Sequence, residues 1–167
     1  MSQTPVIDRR ATSGGSAHVS FLESVVPLLA KAAKVAVELH REWGGSTMSV
    51  TRGNMAGQQF YAVGTYPECS FECVAKPSWE LLFAYAILNA NLLFLPNHAL
   101  GTWYNRPRNL HEIEVVRCVR NLQVALALGQ HSKQYSIYDL RRLQEIAIQP
   151  RVIHSGDGRS NYAIQTA

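Results

Sequence analysis

Apolar positions along this chain recur with two different periods, and the switches between them mark its elements. Val25, Val26, Leu29, Ala32, Ala33, Ala36, Val37 and Leu39 fall at helical spacing, while Lys31, Lys34, Glu38, Arg41 and Glu42 lie largely off that stripe. Ser20 with Glu23 three positions on is a capping-box signature, and Pro27 is tolerated only in the first turns, so the predicted helix starts near Ser20 or Ser24. It runs to Trp43 and ends at Gly44-Gly45. Met48 to Arg52 and Gln59 to Tyr66 then read as strands flanking Gly53-Asn54-Met55-Ala56-Gly57, a composition that predicts a hairpin turn. Cys69 to Ala75 reads as a third short strand. After Pro77-Ser78 a helix carries one stripe of Trp79, Leu82, Phe83, Ala86, Ile87, Ala90, Leu93 and Phe94 and a second of Leu81, Tyr85, Leu88 and Leu92, until Pro96 stops it. A helix apolar nearly all round is buried on two sides or shared with a partner.

The pattern changes again from Asn97. Leu100-Gly101-Thr102-Trp103-Tyr104 and Glu112 to Val119 are strand-like, and Asn105-Arg106-Pro107-Arg108-Asn109 between them supplies turn chemistry, predicting a hairpin with a loop longer than two residues. Asn121 is a good N-cap for a short helix through Leu122, Ala125, Leu126 and Leu128, which Gly129 weakens at its far end. Tyr135 to Leu140 and Glu145 to Ile148 return to strand. The expected fold is a single α+β domain over residues 20–149. In it a long N-terminal helix and a central helix cover one face of a mostly antiparallel sheet, and a third helix links strands in the C-terminal half. Residues 1–19 and 150–167, rich in Gly, Ser, Asp and Arg, are read as flexible tails.

Leu100-Gly101-Thr102-Trp103-Tyr104, Ala125-Leu126-Ala127-Leu128-Gly129 and Gln134 with Ile137-Tyr138-Asp139-Leu140 together resemble a family of small proteins found around phages, plasmids and integrative elements. A fainter match at Gly57 with Tyr61-Ala62-Val63-Gly64 extends the resemblance to roughly residues 48 to 148, and Arg117-Cys118 departs from the family's usual strand ending. The family carries no established activity. What the resemblance implies is an origin in a mobile element; together with the nearly all-apolar central helix and the lack of catalytic motifs it leads to the expectation of a protein-binding module, such as one that modulates a host defence or CRISPR complex.

At 167 residues, 47% hydrophobic and 17% charged, the chain has the size and composition of one globular domain. A net charge of +4 permits nucleic-acid contact without requiring it. There is no apolar run of bilayer length and no h-region near Met1, and the three cysteines are odd in number. The expectation is therefore a cytoplasmic protein with reduced thiols and no membrane partner. A homodimer through the central helix is a further expectation.

Catalytic chemistry has few footholds. Cys69, Cys73 and Cys118 with His98, His111 and His131 offer a Cys-His hydrolase or transferase reading, but no family-specific motif surrounds any of these thiols, and Cys118 in a Val-rich strand is most simply a small buried hydrophobe. Extended, Cys69 and Cys73 would lie roughly 13 Å apart, too far to share an ion. Phosphate-loop and dinucleotide glycine spacings are absent, so neither metal nor cofactor is expected. Asp139 is read as capping the turn after its strand rather than as a catalytic carboxylate. The site-like feature is a basic cluster of Arg106, Arg108, His111, Arg117 and Arg120, with Arg141 and Arg142 beside it, Trp103 and Tyr104 interleaved, and His98 near the start of the same strand, read as an exposed loop histidine. Arginine with aromatic faces suits nucleic-acid phosphates and bases, and equally an acidic protein surface. The competing reading is an ordinary charged sheet edge paired with Glu112 and Glu114.

Overall fold

The computed structural model describes the backbone of residues 14–148, with side chains from residue 23, and two short strands, Ile153–His154 and Ser160–Asn161. Its first element, α1, spans Gly14–Trp43. It starts earlier than the capping box predicted and takes in residues 14–19 of the expected tail. Ser20 and Glu23 lie inside the helix and have no terminus to cap. Pro27 also lies within it, where its ring displaces the bond to the Glu23 carbonyl. Tertiary contact compensates: Val25, Leu29, Ala32, Ala33, Ala36 and Val37 are buried at helical spacing, and fully burying a side chain such as Leu29 contributes about 1.5–3 kcal/mol. Gly44, at φ +78°, donates its N–H to the His40 carbonyl at 2.9 Å, an αL cap that a residue with a Cβ would adopt with strain.

The sheet consists of β1 (Gly45–Ser49), β2 (Gly53–Asn54), β3 (Tyr61–Gly64), β4 (Phe71–Cys73), β5 (His98–Asn105), β6 (Leu110–Val119), β7 (Ser136–Asp139) and β8 (Gln144–Ala147). Every pairing is antiparallel and the order is β2-β1-β5-β6-β3-β7-β8, with β4 also on β6. The predicted pairing of the first two strand-like runs is not formed. The chain turns earlier than Gly53-Asn54, at Val50-Thr51-Arg52, and β1 pairs with β2 through Met48↔Asn54 and Ser49↔Gly53. β3 is separated from β1 by two strands, β5 and β6, and lies next to β6 and β7.

β6 is the axis of the sheet. Along one edge it pairs with β5 from His98↔Arg117 to Asn105↔Leu110. Along the other it pairs with β3 near Val119 and with β4 near His111, and residues 65–70 bulge away opposite Glu114 and Val115. The hairpin turn between β5 and β6 holds Asn109 at φ +53°, the left-handed conformation that asparagine tolerates.

Three helices cover one face. α1 and α2 (Trp79–Leu88) pack on Met48, Leu100, Ile113 and Val115, and α4 (Leu122–His131) packs through Ala125 on Val63 and Ile137. Asn121 caps α4 by accepting the Val124 N–H. The central helix is not one cylinder. Ser78 caps it, α2 ends at Asn89, and a one-turn α3 (Ala90–Leu93) follows. Leu82, Tyr85 and Ala86 face the core, whereas Leu88 is 81% exposed, so the all-round apolar pattern divides into a packed face and an open one. The opposite face of the curled sheet is covered by the chain itself: Met55 and Phe60 pack on Ala62, Ala99, Val116, Cys118 and Leu140, and Gly57 donates to the Leu140 carbonyl. Of the predicted C-terminal tail, Ile153–His154 pairs with Ser160–Asn161 as an antiparallel ladder, and the rest lies outside the described residues.

Candidate anion-binding surface

The ten residues singled out from the sequence do not form one site. Arg106 and Arg108 sit in the turn before β6 and Arg117 near its other end; Leu110 to Arg117 alone is seven positions, about 23 Å at roughly 3.3 Å per residue, and the two ends of the strand have different chemistry.

At the hairpin end, Arg108 is neutralised. Its guanidinium donates to both carboxylate oxygens of Glu72, at 2.6 and 2.8 Å, and lies 3.7 Å from Glu112. Glu112 also accepts from Asn105 Nδ2 at 2.8 Å. Arg106 is exposed on the same turn. Tyr104 stacks on His111 at 4.7 Å between centroids and donates to Asn109. His111 is buried, with Nδ1 2.7 Å from His40 Nε2, and His40 Nδ1 lies 3.0 Å from the Thr102 hydroxyl, which in turn meets Ser46 at 2.8 Å. This chain of four polar side chains joins the end of α1 to the sheet. Burial first, then His111 and Lys76, pull His40 down to about 4, and burial with Lys76 lowers His111 too, so both rings are neutral at pH 7. Trp103 lies on the other face, its ring 5.6 Å from that of Tyr138 on β7.

The far end of β6 is where positive charge is left without a carboxylate. Arg117 and Arg120 are exposed, and they meet Arg52 from the β1–β2 turn, a residue the sequence pattern did not single out. The guanidinium carbons of Arg120 and Arg52 lie over the Phe60 ring at 5.0 and 5.6 Å from its centroid. Arg52 also donates to Asn97 Oδ1 at 3.0 Å. Among the described residues, none of these three arginines makes an ion pair. Between them lies a groove of about 480 Å³ whose walls include Phe60, Val119 and Val124 and whose rim is Arg52, Arg117 and Arg120. A smaller cavity of about 100 Å³ adjoins it and shares Arg52, Asn97, His98 and Cys118. Asn121, the cap of α4, borders the groove, so the positive end of that helix faces the same space. Arg141 and Arg142 open the turn after Leu140, whose N–H bonds to the Phe60 carbonyl at 3.0 Å, which sets them at this end too. Their backbone N–H groups both donate to Asp139 Oδ1, so the aspartate caps that turn as its position predicted.

No known protein family, characterised protein or solved structure matches the chain.

His98 is not the exposed loop histidine its sequence position suggested. It opens β5, is buried, and has both ring nitrogens engaged, Nδ1 with the Pro96 carbonyl at 2.9 Å and Nε2 with the Tyr66 hydroxyl at 2.8 Å. It borders the groove beside Cys118, but an imidazole so committed has no free nitrogen to serve as a base. Burial pushes the Cys118 thiol up to about 11, and desolvation also raises Cys69 and Cys73. Thiolate chemistry at neutral pH is therefore disfavoured at each cysteine. Among the described residues no three His, Cys, Asp or Glu side chains gather to hold a metal ion, and no helix is long and apolar enough to cross a membrane.

Proposed function

We propose that the protein is a non-catalytic binding module that takes a polyanionic partner, a nucleic-acid backbone or an acidic protein surface, at the end of the sheet carrying Arg52, Arg117 and Arg120. The observation that carries this reading is the contrast between the two ends of β6. Arg108 is held by Glu72 and Glu112, whereas Arg52, Arg117 and Arg120 surround a groove with no carboxylate among the described residues within ion-pair distance. Arginines left unpaired around a concave surface keep their full charge for a ligand, and each phosphate they neutralise releases condensed counterions. The raised thiols and the engaged nitrogens of His98 support binding over Cys-His catalysis.

The reading is tested by fluorescence anisotropy with a labelled single-stranded oligonucleotide and, in parallel, a labelled poly-glutamate peptide, each titrated over a series of salt concentrations. For the oligonucleotide, log affinity falls linearly with log salt with a slope of about −2, given roughly 0.7 per neutralised phosphate on a single strand. Arg117→Ala with Arg120→Ala reduces that slope by about 1.4. Failure of both polyanions to bind, or binding that the double variant leaves unchanged, would overturn it.

A further inference from the structure

The groove is more than a charged rim, because its walls are apolar and one of its aromatic residues is used in an unusual position. Phe60 is only 7% exposed, so a ligand cannot stack on it. Its ring instead lies beneath two exposed guanidiniums, Arg120 at 5.0 Å and Arg52 at 5.6 Å. By the triangle of those distances the two guanidinium carbons are no more than 10.6 Å apart. A planar guanidinium backed by an aromatic ring presents its outer face to solvent, and that face stacks nucleobases as readily as an aromatic side chain does. Val119 and Val124 supply an apolar wall alongside, and Arg117 and the capped N-terminus of α4 supply charge next to it.

We infer that the groove binds single-stranded nucleic acid through its bases as well as its phosphates. Phe60 orients Arg120 and Arg52, one base stacks on the outward guanidinium face against Val119 and Val124, and Arg117 with the start of α4 takes the flanking phosphate. This rests on the polyanion reading above and narrows it to one ligand class. An acidic protein surface would use the same three charges but leave the apolar wall and the Phe60-backed faces without a role. A groove of about 480 Å³ is in the size range of small-molecule sites and accommodates one nucleotide. Phe60 is on this account a positioning residue, touching the ligand only through the arginines it holds.

The test compares three probes on the full chain: a single-stranded oligonucleotide, an abasic oligonucleotide of the same length and charge, and poly-glutamate. It uses the wild type, Arg120→Lys and Phe60→Leu, with thermal melting to confirm that each variant is folded. The base-bearing strand binds roughly tenfold more tightly than the abasic one, as a single stacked base provides. Arg120→Lys keeps the charge but loses the planar face, so it abolishes that preference while leaving the salt slope unchanged. Phe60→Leu, if folded, does the same. Equal binding of the abasic and base-bearing strands would overturn the inference and leave the polyanion reading standing. A preference that survives Arg120→Lys would overturn the assignment of the stacking face. Binding of poly-glutamate alone would exclude nucleic acid as the ligand, and binding of none of the three would remove both readings.

Discussion

Two ionisable residues, the buried His40 and the half-buried Glu114, act on the stability of this protein in opposite directions. His40 is held neutral by burial and by charge repulsion from His111 and Lys76, with its pKa lowered from 6.5 to about 4. The unfolded chain takes up a proton as pH falls through 6.5 and the folded chain resists until about 4, so His40 withdraws stability across that window. Glu114, facing the bulge between β3 and β4, is raised from 4.5 to about 7, first by desolvation and then by Glu112. Here the unfolded chain loses its proton first, so stability is withdrawn as pH rises from 4.5 to about 7 and then levels. The two windows overlap and mask each other in the wild type, but single variants separate them. Glu114→Gln gains about 1–2 kcal/mol over the wild type at pH 8 and nothing at pH 4, a figure discounted because the side chain is partly exposed. The acid-side loss of the wild type, up to about 3 kcal/mol between pH 6.5 and 4, is reduced in His40→Gln. Urea denaturation at three pH values measures both, and parallel curves for wild type and variants would exclude these groups as the source.

At the scale of elements, close approach decides what propensity does not. Gly129 reads as a weak point that should fray the end of α4, yet the helix continues to His131 and Gly129 is buried. A Cβ there would collide with the Ile148 side chain and lie 3.1 Å from Ile137 Cγ2. In an exposed helix Gly→Ala stabilises by up to about 1 kcal/mol. Here Gly129→Ala destabilises by about 1–2 kcal/mol, since overpacking outweighs the propensity gain. A rise in thermal midpoint for Gly129→Ala would contradict the packing of α4 on β7 and the segment after β8. The same distinction explains which elements were legible in the sequence. Strands β5 to β8, the Asn121 cap and the end of α1 at Gly44 depend on local pattern, and the sequence shows them. The start of α1 was missed because burial of Val25 and Leu29 holds a helix through Pro27 that its local chemistry alone would end. The supposed hairpin between β1 and β3 failed because pairing depends on partners more than fifty residues away, Val116 to Val119 for β3 and Leu100 to Trp103 for β1.

Across the whole molecule, charge rather than shape separates the two ends of the sheet. Read linearly, Arg106 to Arg120 is one basic cluster; folded, β6 carries its halves to opposite ends, and Glu72 from β4 neutralises Arg108 in the first half. Arg117 and Arg120 remain, joined by Arg52 and Phe60 from segments distant in sequence. Nothing local marks Arg52 or Phe60, since their role comes from the turn of β1 into β2 and from the passage of Met55 to Phe60 across the sheet. Binding belongs to this one end of the sheet, and single charge reversals at the two ends distinguish that from attraction by net charge. Arg117→Glu, Arg120→Glu and Arg106→Glu are titrated with the same labelled single-stranded oligonucleotide at an ionic strength of about 0.15 M, where the Debye length is about 8 Å. Affinity falls about tenfold or more for Arg117→Glu and Arg120→Glu and changes within about twofold for Arg106→Glu, which lies more than two Debye lengths away. An equal loss for all three would contradict it, because the protein would then attract its ligand by net charge and possess no site.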